Sequence, residues 1–407
     1  MRKTITVLFA LAISAGALAE GYQINLQGTR QTGMGHTGTG LNFGASSIHF
    51  NPGALALMKK RFDMSIGGSA IYSSNVFQKQ IPSVYSASTD NPVGTPFYFY
   101  AAGQITGNLY GGLGVTTPYG STINWDDEWD GRYLIQDISL KVFYFQPTLA
   151  YAFNEKLSVG AGFVYATGDV TLRKALPISD AEGDGQAELS GSTSQYGYNV
   201  GAFFQATEKF SIGLNYRSEI SMEMNDGKAT FSVPSSVGAM FPNTTFKAAL
   251  PMPANLVLGV GYQISDKLLL AADLQYVFWD AYKNLNFDFA EETQSLQDSK
   301  NIRDFANTLI YRVGAEYKLS DKLMVRAGGA FDSTPIPEDY LSPETPGSDK
   351  INLSVGLSYA INNRLSLDAS FLYIKAMERK DGYKPSDFYG TYNTNALIPG
   401  FGINYTF

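Results

Sequence analysis

The chain has 407 residues, a formal net charge of −7 and no cysteine. A disulfide framework and thiolate chemistry are therefore excluded, and an acidic chain is a poor partner for nucleic acid. Charged residues make up only 16% of the chain, while Tyr and Phe number 26 each, low charge and high aromatic content for a soluble protein.

Residues 1–19 read MRKTITVLFALAISAGALA. Arg2 and Lys3 form a basic start, Ile5 to Ile13 an apolar stretch and Ala17-Leu18-Ala19 a small-residue cleavage site, so a secretory signal peptide is predicted. Cleavage would leave Glu20 first and, by removing two basic residues, take the net charge from −7 to −9. Beyond it no run of about 18 apolar residues remains, so no spanning helix is predicted. A β-barrel stays open, because its strands carry only alternating hydrophobicity.

Residues 20–59 do not alternate; they are rich in Gly, Ser and Thr and then turn apolar. Gly33-Met34-Gly35-His36-Thr37-Gly38 fits a dinucleotide fingerprint letter for letter. The fingerprint needs a preceding strand and a βαβ unit, and neither is predicted. The glycines are read instead as allowing close chain packing in a confined space. His36 and His49 are the only histidines, too few for a zinc site without further ligands. No Gly-x-Ser-x-Gly elbow occurs. A hydrolase using His36 or His49 is the rival enzyme reading; no catalytic residue, metal or cofactor is predicted.

From residue 60 to 407 the pattern changes to period two, the signature of strands. Leu157, Val159, Ala161, Phe163 and Tyr165 alternate with Ser158, Gly160 and Gly162; Leu365, Leu367, Ala369, Phe371 and Tyr373 alternate with Ser366, Asp368 and Ser370. A short polar clip recurs between such runs: Asn154-Glu155-Lys156-Leu157, Thr207-Glu208-Lys209-Phe210, Ser265-Asp266-Lys267-Leu268, Ser320-Asp321-Lys322-Leu323 and Asn362-Asn363-Arg364-Leu365. Each clip is predicted to be a hairpin turn, and 105–109 a sixth. Long polar connections lie near 75–95, 120–136, 173–192, 223–252, 281–306, 333–348 and 377–395. Six short turns and seven long loops imply fourteen strands, starting near 60, 96, 109, 138, 157, 196, 208, 254, 267, 308, 322, 350, 364 and 396. Short turns at one end and long loops at the other are the pattern of an outer-membrane barrel.

The apolar face, with Tyr and Phe near strand ends, is expected to meet lipid. The opposite face carries Arg217, Glu219, Asp273, Arg312, Glu316, Arg326 and Asp368, unlike the dry core of a soluble sandwich or propeller, the rival fold. In GGLGVTTPYGSTINW, Pro118 and Gly120 fall within or at the end of strand three. Pro cannot donate to the ladder and Gly weakens it, so a kink or an early strand end is expected there. The chain closes on a strand whose last residue is Phe407.

Several stretches, in order, carry a family resemblance: Gly21-Tyr22-Gln23-Ile24-Asn25, Asn51-Pro52-Gly53-Ala54-Leu55, NYRSE (215–219), IYRVGAEY (310–317), AGGAFDSTPIP (327–337) and SDKINLSVGLSYAI (348–361). Together they resemble the outer-membrane long-chain fatty acid transporter family, which includes uptake channels for aromatic hydrocarbons. The resemblance implies an all-β, fourteen-stranded antiparallel transmembrane barrel plugged by an N-terminal hatch: signal peptide 1–19, hatch 20–59, barrel 60–407. It implies passive uptake of hydrophobic small molecules, most readily long-chain fatty acids. Tyr22, Ile24 and Leu26 would contact the ligand pocket, and Arg173 and Lys174 stand where the family places a basic ligand contact. Asn51, Pro52 and Gly53 would fix the hatch exit where it joins strand one, and Pro118, Tyr119 and Gly120 would form a lateral exit. Expected partners are the hydrophobic ligand and outer-membrane lipid, with the chain acting as a monomer. The sequence departs from the family in Gly53, where Ala is usual, and in loop 173–192, which is short and polar where well-known members carry a long helical loop. A surface adhesin or receptor, binding through loops such as Trp125-Asp126-Asp127-Glu128-Trp129 and 343–349, is the alternative function.

Overall fold

A chain that crosses lipid as strands must bond every backbone N–H and C=O within a closed sheet. The alternating part of the sequence does so. The computed structural model describes residues 21–79, 83–181 and 183–407; the predicted signal peptide and its cleavage site lie outside them.

Fourteen antiparallel strands close into a barrel. They are β1 (Phe62–Ser69 and Tyr72–Lys79), β2 (Phe97–Thr106), β3 (Leu109–Asn124), β4 (Asp137–Ala152), β5 (Leu157–Asp180), β6 (Gly183–Gln205) and β7 (Phe210–Arg217 and Ile220–Ser232). The second half comprises β8 (Thr244–Met252 and Asn255–Ser265), β9 (Leu268–Val277 and Asn284–Phe289), β10 (Ser299–Ile302 and Thr308–Lys318), β11 (Leu323–Asp332), β12 (Lys350–Ala360), β13 (Leu365–Ala376) and β14 (Phe388–Thr406). Consecutive strands pair, and the ring closes through Ser65↔Asn404 between β1 and β14. Strand starts agree with the sequence reading for most of the ring.

The repeated clips are side-chain-capped turns. Asn154 Oδ1 accepts the N–H of Lys156 and of Leu157, both at 2.9 Å. Thr207 Oγ1 accepts from Lys209 and Phe210, Ser320 Oγ from Lys322 and Leu323, and Asn362 Oδ1 from Arg364 and Leu365. An Asn, Ser or Thr at the first position thus mimics a backbone acceptor and turns the chain in a few residues.

At the opposite end the structure corrects the loop boundaries. Residues 173–192 are no loop: β5 runs to Asp180 and β6 starts at Gly183, so Arg173 and Lys174 lie within β5. β3 continues through Pro118 to Asn124. Hairpins that project past the membrane have water on both faces, and their sequences lose the apolar alternation that marks a lipid-facing strand.

The inward face carries the charges. Arg217, Asp273, Arg312, Glu316, Arg326 and Asp368 are all at most 8% exposed. Glu219 is the exception. It sits in the break between the two segments of β7 and is exposed. The pairing with β6 slips there, from Arg217↔Asn199 to Lys228↔Ser190, so a period-two count carried through Ser218 assigns Glu219 to the wrong face.

Residues 21–58 form turns and four short helices, Thr29–Thr32, Gly44–Ser46, Ser47–Phe50 and Pro52–Leu57. They touch inward groups around the ring. A Cβ on Gly35, whose φ is +66°, would stand 2.5 Å from the Val313 carbonyl oxygen of β10, and one on Gly259 of β8 would stand 2.4 Å from Gly40 N. Only glycine allows such approaches, which is the confined packing expected of the Gly33–Gly38 run. Charges complete the contact. Arg30 Nη2 meets Glu316 Oε1 at 2.6 Å, Arg326 Nε meets Glu316 Oε2 at 2.6 Å, and Asp368 lies 3.6 Å from Arg326 Nη1.

Glu316 is the shared counter-ion of two arginines. Glu316→Ala would leave Arg30 and Arg326 facing each other, and breaking a buried pair costs about 3–5 kcal/mol. A lowered urea midpoint of the detergent-solubilised barrel is the expected result; an unchanged midpoint would show that water in the lumen carries those charges.

Candidate transport site

The wall is interrupted at Pro118. The β2–β3 ladder ends at Tyr98↔Thr116, and the register of β3 against β4 shifts between Thr116 and Tyr119. Pro118 has no N–H to give the ladder. Its carbonyl oxygen instead accepts from Ile24 N at 2.8 Å, and Gly120 N donates to the Tyr22 carbonyl at 2.9 Å. Gln23 and Tyr119 face each other between those two bonds as an isolated antiparallel bridge. Residues 22–24 therefore act as a short extra strand on the kink. On the other side, Thr117 Oγ1 accepts from Phe97 N at 3.1 Å and donates to Phe97 O at 3.2 Å. The upper half of β1 leaves β2 and pairs with β14 and with a short strand, Tyr85–Ser88.

This parting of strands leaves a cavity of about 470 Å³, bordered by Ile24, Ile71, Phe97, Tyr119 and residues 139–143 of β4. It takes in both faces of β4: Leu140 and Val142 are buried and point inward, whereas Lys141 on the alternate face is exposed. Residues from both faces of β4 thus border one cavity.

A second cavity, of about 70 Å³, lies inside, lined by Tyr22, Leu140, Met222, Met224, Phe246 and Leu285 among others. Among the described residues Glu344 is its one acid, held by Arg303, and no Lys or Arg lines it. Tyr22 packs edge-on against Trp279 and Tyr282, with ring centroids 5.2 and 5.6 Å away. Its hydroxyl donates to the Pro251 carbonyl, and the Tyr119 hydroxyl donates to Pro253 O at 3.1 Å. Pro251 lies next to the end of the first segment of β8 and Pro253 in the break between its two segments, so Tyr22 and Tyr119 link the β3 kink to a second interruption across the barrel.

A third space, about 40 Å³, is polar and bordered by His36, His49, Arg217, Asp273 and Arg312. It has room for water rather than for a lipophile. Arg217 Nη2 lies 3.2 Å from His49 Nδ1, and Asp273 Oδ2 accepts from Gly38 N and Thr39 N at 2.9 and 3.0 Å. Both histidines are thus packed within a network of inward charges.

The other predicted residues separate. Leu26 lies apart from Tyr22, clustered with Leu372, Ile374 and Ile398. Arg173 pairs with Asp137 at 2.5 Å and Asp127 at 2.9 Å, and neither it nor Lys174 lines any of these three cavities. Asn51 Nδ2 donates to Thr39 O and to Ala202 O of β6, both at 2.9 Å, and Asn51 Oδ1 accepts from Gly53 N at 3.0 Å. Ser158 Oγ of β5 donates to Gly53 O at 2.7 Å. The Asn51-Pro52-Gly53 anchor therefore falls on β5 and β6 rather than at the junction with β1. Sequence reasoning did not single out Met222, Met224 or Lys141. A lysine in register with Phe143 and Phe145 on an otherwise apolar face was the available signal for the last.

The family profile described as "Outer membrane protein transport protein (OMPP1/FadL/TodX)" matches residues 10–407. Outer membrane protein P1 of Haemophilus influenzae is 26% identical over the whole of both chains. The long-chain fatty acid transport protein of Salmonella typhi is 25% identical, again over the whole of both. Among solved structures, a Pseudomonas aeruginosa FadL homologue superposes with a TM-score of 0.82 at 18% identity, covering 95% of this chain and 100% of that one. The Ralstonia pickettii toluene transporter TbuX superposes with a TM-score of 0.72 at 21% identity, covering 96% and 99%. The kinked fourteen-stranded barrel, the apolar cavities and this match over nearly the full length make the chain a member of the OMPP1/FadL/TodX family of outer-membrane transport proteins.

Proposed function

We propose that the chain is a passive channel for hydrophobic small molecules, long-chain fatty acids in particular, that captures solute in the apolar cavity beside Tyr22 and releases it sideways at the β3 kink. One observation supports this reading: beside the Pro118 kink a cavity is bordered by residues from both faces of β4, and the backbone groups freed at the kink are bonded by residues 22–24 rather than exposed to lipid. Residues 20–59 serve as the hatch. Residues 22–24 must detach from the kink for solute to pass, and Ile24, which borders the opening, is displaced with them.

Binding in such a site is driven by burial of apolar surface, about 0.8 kcal/mol per CH₂; the cavity beside Tyr22, about 70 Å³, admits the end of a chain, and displacement of Tyr22 must enlarge it for more to enter. No energy source is required, because solute moves down its own gradient. Arg173, already held by two carboxylates, has no part in this route. The names of relatives support the substrate class, fatty acids for the Salmonella typhi protein and toluene for TbuX.

Straightening the kink tests the lateral route. Pro118→Val with Gly120→Val restores a ladder donor and adds β-branched bulk; the Gly120 side chain would approach Ile24 Cδ1 and the Leu140 carbonyl oxygen at 3.0 and 3.2 Å. Uptake of labelled palmitate should fall while surface abundance and heat-modifiable mobility stay normal. Undiminished uptake in a well-assembled double mutant would rule out the lateral exit and favour passage straight down the lumen.

Deleting residues 20–50 tests the hatch. The inward charges would then face lumen water, so the barrel should still fold and should admit small polar solutes that the full chain excludes. If the truncated chain does not assemble, residues 20–59 belong to the folding core and the division into hatch and barrel is wrong.

A further inference from the structure

Among the described residues, Lys141 is the only charged one bordering the wall cavity. It lies on the outward face of β4, between Gly120 of β3 and Asp169 of β5 in the ladder. Gly120 offers no side chain to it. Asp169 is exposed, and among the described residues no carboxylate forms an ion pair with Lys141. The hydroxyl residues Ser121, Thr122 and Ser139 border the same cavity, as do the apolar Ile24, Leu140 and Val142.

Height decides what such a lysine can do. Lys141 stands twelve residues up β4 from Phe153, which is exposed at the short-turn end. At about 3.3 Å per residue and a tilt of about 40°, that is about 30 Å along the barrel axis. The apolar band of such barrels is about 25 Å tall. The ammonium therefore sits at the outer interface, where a charge is tolerated, and the inward-facing Leu140 and Val142 are its neighbours on β4.

We propose that the opening at the β3 kink is itself a binding site for an amphiphile with an anionic head and one apolar chain, with Lys141 holding the head and Ile24, Leu140 and Val142 receiving the chain. This rests on the lateral route above. Its volume of about 470 Å³ falls in the range of about 300–1,000 Å³ typical of small-molecule sites. The interior cavity beside Tyr22 has no cation, so charge is read at the wall and apolar surface is read inside. Lys141 is thus a specificity-determining residue: it favours fatty acids over neutral lipophiles of equal length. An interface lysine that merely snorkels would show no such preference.

The test compares wild type, Lys141→Met and Lys141→Arg, reconstituted in liposomes, for uptake of labelled palmitate and of hexadecanol. Lys141→Met should raise the half-saturating concentration for palmitate about ten-fold, the effect of losing one charge-assisted contact. Hexadecanol should change less than about two-fold, and Lys141→Arg should restore palmitate. Mass spectrometry of co-purified lipid separates the source of the head: retention of a phosphate-bearing lipid by wild type but not Lys141→Met assigns the site to a membrane lipid, and retention of fatty acid assigns it to the solute. Absence of any Lys141 dependence in both uptake selectivity and lipid retention overturns the proposal while leaving the channel intact. Failure of wild type to take up either solute would sink the channel reading itself.

Discussion

The geometry follows from one constraint: no backbone N–H or C=O can be left unbonded in hydrocarbon. Fourteen strands meet it by closing on themselves. Pro118 breaks the ladder, because proline brings a carbonyl and no donor. A break of this kind is stable in a membrane protein only where something else supplies the missing bonds. Here the supplier is the chain's own N-terminal segment, with Tyr22 accepting from Gly120 and Ile24 donating to Pro118. The interruption is thus closed by residues 22–24 rather than by a strand of the barrel.

The same segment reaches across the barrel. The Tyr22 hydroxyl bonds to Pro251, beside the break in β8, while its backbone bonds to β3. Release of Tyr22 would unseat both contacts at once and free the apolar cavity that its ring helps to line. The remainder of residues 21–58 is held differently, by the Asn51 amide on β6 and by the Arg30–Glu316–Arg326 charges. These anchors lie away from the kink, as the proposed release of residues 22–24 requires.

How much of this was legible depended on what each segment faces. Strands bounded by lipid on one side and the lumen on the other alternate strictly, so β9 to β13 and their capped turns could be read residue by residue. Above the membrane the alternation fades, and the β5–β6 extension through Asp180 and Gly183 read as a loop. Glu219 was placed on the wrong face because a slip at Ser218 leaves no mark in composition. Pro118 announced the break in β3 but not its partner: nothing in Tyr22-Gln23-Ile24 signals pairing with a segment about a hundred residues away. Lys141 was not singled out, although a charge on the aromatic face was there to be read; its meaning needed the cavity beside it.

The central claim, that residues 22–24 gate the opening at Pro118, can be tested by locking them in place. Gln23 and Tyr119 form a bridge flanked by hydrogen bonds on both sides, the arrangement that brings opposing Cα atoms to about 4.5 Å, within disulfide reach. The chain has no cysteine of its own, so Gln23→Cys with Tyr119→Cys introduces a single defined cross-link. Uptake of labelled palmitate should be low in the oxidised double mutant and should rise to the level of either single mutant on reduction. Equal uptake before and after reduction, with the cross-link verified, would contradict the account.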